Sequence, residues 1–158
     1  LAHECDVYFV ATVQEEVGYG GGITSTFGVM PDIGIAIDVG HASMPGLPEH
    51  KVLKMGGGPA ISFGPHVHPH IFQKLKEIAE DRGIKYQLEP GTNPRGTDAY
   101  AMQMTRSGVA TGLISVPLRY MHTSVETLTL DDVKKSGQLL AYFAGAVDSR
   151  FREGLTCF

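Results

Sequence analysis

Apolar positions along this chain fall into short β-rich runs that alternate with helically spaced stretches. Residues 6–13 read as a buried strand, with Val7, Phe9, Val10 and Val13 in a β-rich run. Residues 33–39, Ile-Gly-Ile-Ala-Ile-Asp-Val, form a second run, and 60–63 a short third. From His70 to Arg82 the apolar residues Ile71, Phe72, Leu75, Ile78 and Ala79 recur at helical spacing, and Gly83 closes the pattern. A strand over 84–88 follows, then a helix over 98–106 ending at Gly108 and a strand over 109–118. The last predicted helix spans 131–147, with Asp131 or Thr129 as its N-cap. The stretch 40–59 is rich in Gly and Pro without periodicity, and reads as a loop excursion. Strands alternating with helices predict an α/β fold, layers packed around a largely parallel sheet.

This pattern puts polar residues at informative places. Glu15 and Glu16 follow the strand predicted over 6–13, Asp38 sits at the end of the strand that begins at Ile33, and His122 comes just after the strand over 109–118. In open α/β sheets ligands bind beyond the carboxyl ends of strands. Oxygen and nitrogen donors are therefore expected to converge on one edge. Two adjacent carboxylates repel and desolvate badly unless a cation offsets the cost. Zinc accepts carboxylate and imidazole donors and, in catalytic sites, keeps a position open for water. Glu16, Asp38 and His122 supply suitable ligand types, and Glu15 could then act as general base. Glu-Glu alone favours two solvent-facing loop glutamates.

Composition narrows the classes. At 158 residues, 42% hydrophobic and 19% charged, the chain has the make-up of a soluble globular domain. No apolar run approaches the ~20 residues that span a bilayer. A net charge of −4 without a basic stripe points away from nucleic acid. Cys5 and Cys157 lie near opposite ends and form no CxxC, which fits a reducing, cytoplasmic setting. The first residue is not methionine, and Leu-Ala-His-Glu-Cys reads as the frayed end of something longer.

Other motifs have two readings each. His66, His68 and His70 alternate as in a chelating tract, but the prolines around them favour a surface turn. Gly18–Gly22, Gly-Tyr-Gly-Gly-Gly, lacks the Lys-Ser/Thr of a phosphate loop and reads as flexible backbone beside the site. Asp98 is either a helix N-cap or a substrate-side residue. Arg119 is either an exposed strand-end charge or a structural partner, and Met102 and Met104 read as packing residues.

Taken in order, TVQEEVG, IAIDV, GTDA and SVPLRYMHTSVE resemble the tetrahedral aminopeptidase and glutamyl aminopeptidase family of dinuclear metallopeptidases, over nearly the whole chain. The resemblance implies an α/β/α sandwich with a mixed sheet. It implies an aminopeptidase that uses two divalent ions, zinc or cobalt, on a peptide substrate. By the same resemblance Glu15 is the general base, Glu16 and His122 ligate one metal, Asp38 ligates the other, and Thr97 and Asp98 lie on the substrate side. The family's early histidine and its bridging aspartate fall upstream of Leu1, and His3 and Asp6 do not sit in matching motifs. The chain is thus expected to be the C-terminal portion of a catalytic domain, without the inserted assembly domain of a family that often forms large homo-oligomers. Relatives are sometimes labelled endoglucanases. Glycoside hydrolysis is therefore the rival enzyme class, and a non-catalytic module with an incomplete metal site is the third reading.

Overall fold

The structure is a computed structural model and describes residues 2–91 and 96–155. Four strands make one sheet: β1 (Ile33–His41), β2 (Ala60–Phe63), β3 (Gln87–Pro90) and β4 (Ala110–Leu118). Their order is β1-β4-β2-β3, with β1 parallel to β4, β2 parallel to β3, and β2 antiparallel to β4. The sheet is mixed, with two of its three pairings parallel. All nine residues of β4 are buried, as its continuous apolar run requires of a central strand.

Helices cover both faces. On one face, α2 (Pro69–Asp81) and α4 (Leu130–Ala146) press Ile71, Leu75, Ile78, Leu139 and Phe143 onto Ile61 and Ile114 of the sheet. Each such side chain contributes about 1.5–3 kcal/mol by leaving water. On the other face α3 (Asp98–Gln103) sets Ala99 and Met102 against Ala36, Leu113 and Val67, and α1 (Gly20–Val29) lies against α3. A short α5 (Ser149–Glu153) places Phe151 edge-on to Phe143. No helix among the described residues is long and apolar enough to cross a membrane.

Several expectations need correction. Residues 6–13 form no strand: they are exposed, with no ladder partner. Gly18–Gly22 is not a flexible loop, because its last three glycines open α1. β1 continues to His41, so Asp38 lies inside the strand, and the excursion after it contains a 3-10 turn at Glu49–Lys51 and a bridge from Ala42 to Leu53. The helix expected over 98–106 ends at Gln103, and Met104 is exposed rather than packed. Thr129, not Asp131, caps α4. The next carboxylate, Asp132, is fully buried and accepts the amides of Gly56 and Gly58, both at 2.8 Å. Cys5 is a free thiol, and Cys157 lies outside the described residues.

Candidate metal centre

Chain geometry around residues 12–22 sets the two glutamates. Gln14 adopts a left-handed conformation, φ 62°, and its carbonyl accepts the amides of Tyr19 at 2.8 Å and Val17 at 3.3 Å. Glu15–Val17 thereby becomes a single 3-10 turn. The Gly21 amide donates to the Val13 carbonyl at 2.8 Å, and a Cβ at Gly21 would stand 2.3 Å from the Val13 nitrogen. Only glycine lets α1 begin so close to the strand-like segment. Thr12 ties this turn to α3, its hydroxyl donating to Asp98 Oδ2 at 2.6 Å. The other Asp98 oxygen is buried without a hydrogen-bond partner, against Gly22, where a Cβ would come within 2.4 Å of it.

The sheet supplies the other two residues. β1 and β4 are parallel, so their carboxyl ends open on one edge. Asp38 stands opposite Ser115, and its Oδ1 accepts the Val39 amide at 2.7 Å. His122, just beyond β4, is left-handed at φ 61° and is held by its amide, which donates to Glu126 Oε1 at 2.7 Å. A non-glycine residue pays for that conformation, and such strain clusters at functional sites. The turn brings His122 Nε2 to 3.5 Å from Glu16 Oε2.

That spacing allows a fit test. Two zinc donors at about 2.0–2.2 Å in a tetrahedral shell stand roughly 3.3–3.6 Å apart. Glu16 and His122 match one edge of such a shell. Among the described residues, however, no three His, Cys, Asp or Glu side chains come close enough to hold one ion between them. The chain presents a two-donor edge with Asp38 beside it.

Electrostatics define the neighbourhood. Partial burial pushes the Glu15 carboxyl above the usual carboxylate range, and Asp38, Glu16 and Asp98 add to the rise while His122 opposes it. Burial likewise raises Asp38. The Val39 amide works against that shift, and Asp98, Glu16 and Glu89 reinforce it. Five carboxylates thus press on one region with one imidazole among them, a field that favours a cation.

The remaining candidates sort themselves. Thr97 is the true N-cap of α3, accepting the Ala99 amide at 3.0 Å, which frees Asp98 for Thr12. Residues 92–95, which precede them, lie outside the described residues. The histidine tract does not act as a surface turn throughout: His66 is buried, His68 caps α2, and only His70 stays exposed, near the Gly154 carbonyl. None of the three joins the centre. Arg119 bridges to Thr127, with its Nε buried and without a partner, so it is not an exposed strand-end charge. Thr12 and Glu89 were not singled out from sequence. Neither stands in a motif, and each reaches the site only through tertiary contacts.

The M42 glutamyl aminopeptidase family matches residues 1–139. The chain belongs to that family. Among curated relatives, lysyl aminopeptidase of Pyrococcus furiosus is 42% identical over 137 residues, covering 87% of this chain and 40% of the relative. The solved aminopeptidase APDkam598 of Desulfurococcus kamchatkensis matches with a TM-score of 0.92 at 38% identity, over 99% of this chain and 46% of that one. The Pyrococcus horikoshii TET1 peptidase, described as assembling into a tetrahedron or a large octahedral shell, matches with a TM-score of 0.69 at 33% identity, over 86% of this chain and 40% of that one. This chain therefore spans less than half the length of these relatives, and the M42 fold it shows is a matching portion of theirs.

Proposed function

We propose that this chain is the C-terminal portion of an M42 catalytic domain that removes N-terminal residues from peptides. The observation that carries the reading is the 3.5 Å approach of His122 Nε2 to Glu16 Oε2, beside a Glu15 that makes no ion pair of its own among the described residues. Glu16 and His122 would hold one divalent ion, zinc or cobalt, and Asp38 a second, with further donors supplied from outside these 158 residues. When bound, such ions polarise a scissile carbonyl and make water more acidic. Glu15 sits in the same turn but faces different neighbours, so it can accept the proton of the attacking water at its carboxylate and return it to the departing amine. Its upward shift moves it toward the range in which a carboxylate works as a base near neutral pH. Thr97 and Asp98, anchored through Thr12 to the same turn, would border the substrate. Assembly into homo-oligomers belongs to the same proposal and takes its support from the TET1 relative.

Glycoside hydrolysis finds no support in the geometry. It requires carboxyls on opposite faces of a sugar, ~5–9.5 Å apart, whereas Glu15 and Glu16 are neighbours in one tight turn. The sequence also contains no tryptophan to stack on a sugar ring. A chain extended upstream to the length of its relatives tests the proposal. It should release nitroaniline from aminoacyl-nitroanilides and no reducing sugar from carboxymethylcellulose. Sugar release without amine release would reverse the assignment.

A further inference from the structure

A groove of 230 Å³ between α1 and α3 takes no part in the metal-centre reading. Helical spacing builds both of its walls. Tyr19, Ile23 and Phe27 stand four residues apart, starting at the N-cap of α1, and Tyr100 and Met104 do the same along α3 to its C-cap. Two ring contacts mark the ends. Tyr19 and Tyr100 meet edge to face with centroids 6.5 Å apart, at the end that follows the Glu15–Val17 turn. At the other end the Arg106 guanidinium lies 3.8 Å from the centre of the Phe27 ring, and its Nε donates to the Phe27 carbonyl at 3.1 Å. Ile23, Phe27 and Met104 are 44%, 55% and 64% exposed, so the described chain leaves this apolar surface uncovered. No Asp or Glu lines the groove, and Arg106 forms no ion pair among the described residues. Both Tyr19, φ 59°, and Arg106, φ 55°, hold left-handed backbone conformations. Such strain gathers at ligand clamps.

An apolar trough with an unpaired cation fixed at one end suits an apolar body that carries a carboxylate. Stacking on Phe27 sets the plane of the guanidinium, and Nε is already occupied. The Nη edge is left to take a carboxylate in a bidentate pair, which arginine does better than lysine. The groove is smaller than the ~300–1,000 Å³ of pockets for drug-sized ligands. It has room for one side chain of leucine or phenylalanine size, whereas a long acyl chain would leave most of its length in water. We propose that this groove binds the apolar carboxyl-terminal residue of a peptide, its side chain against Ile23, Phe27 and Met104 and its carboxylate on Arg106. The site uses none of Glu15, Glu16, Asp38 and His122, and so stands apart from the metal-centre reading.

Titration of the 158-residue chain with N-acetyl-phenylalanine, followed through the amide resonances of α1 and α3 and the Arg106 Nε–H signal, tests this. Binding should saturate with a Kd on the order of 1 mM, as befits a ligand of so few atoms. N-acetyl-phenylalaninamide has the same shape without the charge and should bind roughly tenfold more weakly, the loss of a hydrogen bond to a charged group. Arg106→Gln should weaken binding of the acid by a similar factor and leave binding of the amide unchanged. If Arg106→Gln fails to fold, Met104→Glu at an exposed position sets a like charge against the ligand carboxylate and should discriminate in the same way. Equal affinity for acid and amide, or shifts that never saturate, overturns the proposal. Octanoate binding more tightly than N-acetyl-phenylalanine would make the occupant an aliphatic acid and overturn the peptide assignment. Movement of the same resonances with protein concentration alone would give the groove to a second copy of the chain, and overturn it as well.

Discussion

Glu15 and Glu16 share one turn but keep different company, and the roles proposed for them rest on that difference. Glu16 is the partner of His122, while Glu15 is more affected by partial burial and by Asp38 than by the imidazole. In an enzyme of full length, Glu15→Gln should lower turnover by about 10²–10⁴-fold, the usual contribution of a general base, and leave metal content intact. His122→Ala should instead lose one metal, because a catalytic ion has few protein donors to spare. Metal analysis beside kinetics checks both, and equal metal loss in the two variants would sink the assignment. Asp38 permits a second test on the chain alone. Its folded carboxyl is raised above the unfolded value, so the folded state holds more protons between the two and loses stability as pH rises through that window. The penalty is complete above the folded value and absent below the unfolded one. Asp38→Asn should therefore raise the melting temperature at pH 7 by a few degrees at most, since solvent screens a half-exposed group. The gain should vanish on acidification below the ordinary carboxylate range, and melting curves across pH will show whether it does.

At the scale of elements, α1 shows why part of this site was hidden in the sequence. Glycine costs a helix about 1 kcal/mol relative to alanine, so three in succession read as loop. Here Gly21 and Gly22 are demanded by close approach, to the Val13 backbone and to Asp98. Gly21→Ala should therefore cost about 1–3 kcal/mol through overpacking. Gly28→Ala, in the same helix with nothing within 4 Å of its added methyl, should instead gain about 0.5–1 kcal/mol. Urea midpoints of the two variants should move in opposite directions, and a matching gain in both would show that helix propensity, not packing, governs α1. The segment 6–13 failed as a strand for the converse reason: its residue types suit a sheet, but a ladder is made by neighbours, and none pairs with it. Elements carried by strong periodicity, α2 and α4, and by apolar continuity, β1 and β4, were legible almost to their ends. So was the position of His122 just beyond β4, whereas Asp38 lies inside β1 and not at its end. The Thr12–Asp98 bond, spanning 86 residues, and the Glu89–Ser115 bond, spanning 26, were not, because no local pattern encodes which turn meets which helix.

For the whole molecule, the unpaired segment and the open edge of β1 set the behaviour in solution. Phe9 is 92% exposed, and Tyr8, Val10 and Val13 are also well exposed along the same stretch. β1 occupies one end of the strand order with no partner on its outer side among the described residues. An open strand edge and a run of exposed apolar residues are each a template for association. Sedimentation velocity should show concentration-dependent self-association of this chain, relieved by Phe9→Lys with Val10→Lys. A monomer at all concentrations would show that the edge is harmless. The same arrangement limits the metal centre. In the proposed centre Glu16 and His122 would give one ion two donors and Asp38 would give another only one, and no third donor joins either among the described residues. Zinc sites normally take three or four protein ligands, and two ions held about 3.5–4 Å apart need a bridging group as well. After dialysis the chain should therefore retain less than one metal per molecule and release little or no nitroaniline from leucyl or glutamyl nitroanilide. The weak sites should still fill when zinc is supplied in excess. Two tightly held metals with robust turnover would show that these residues complete their own coordination, through a rearrangement of the turn at Glu15–Val17 or of the loop after β4.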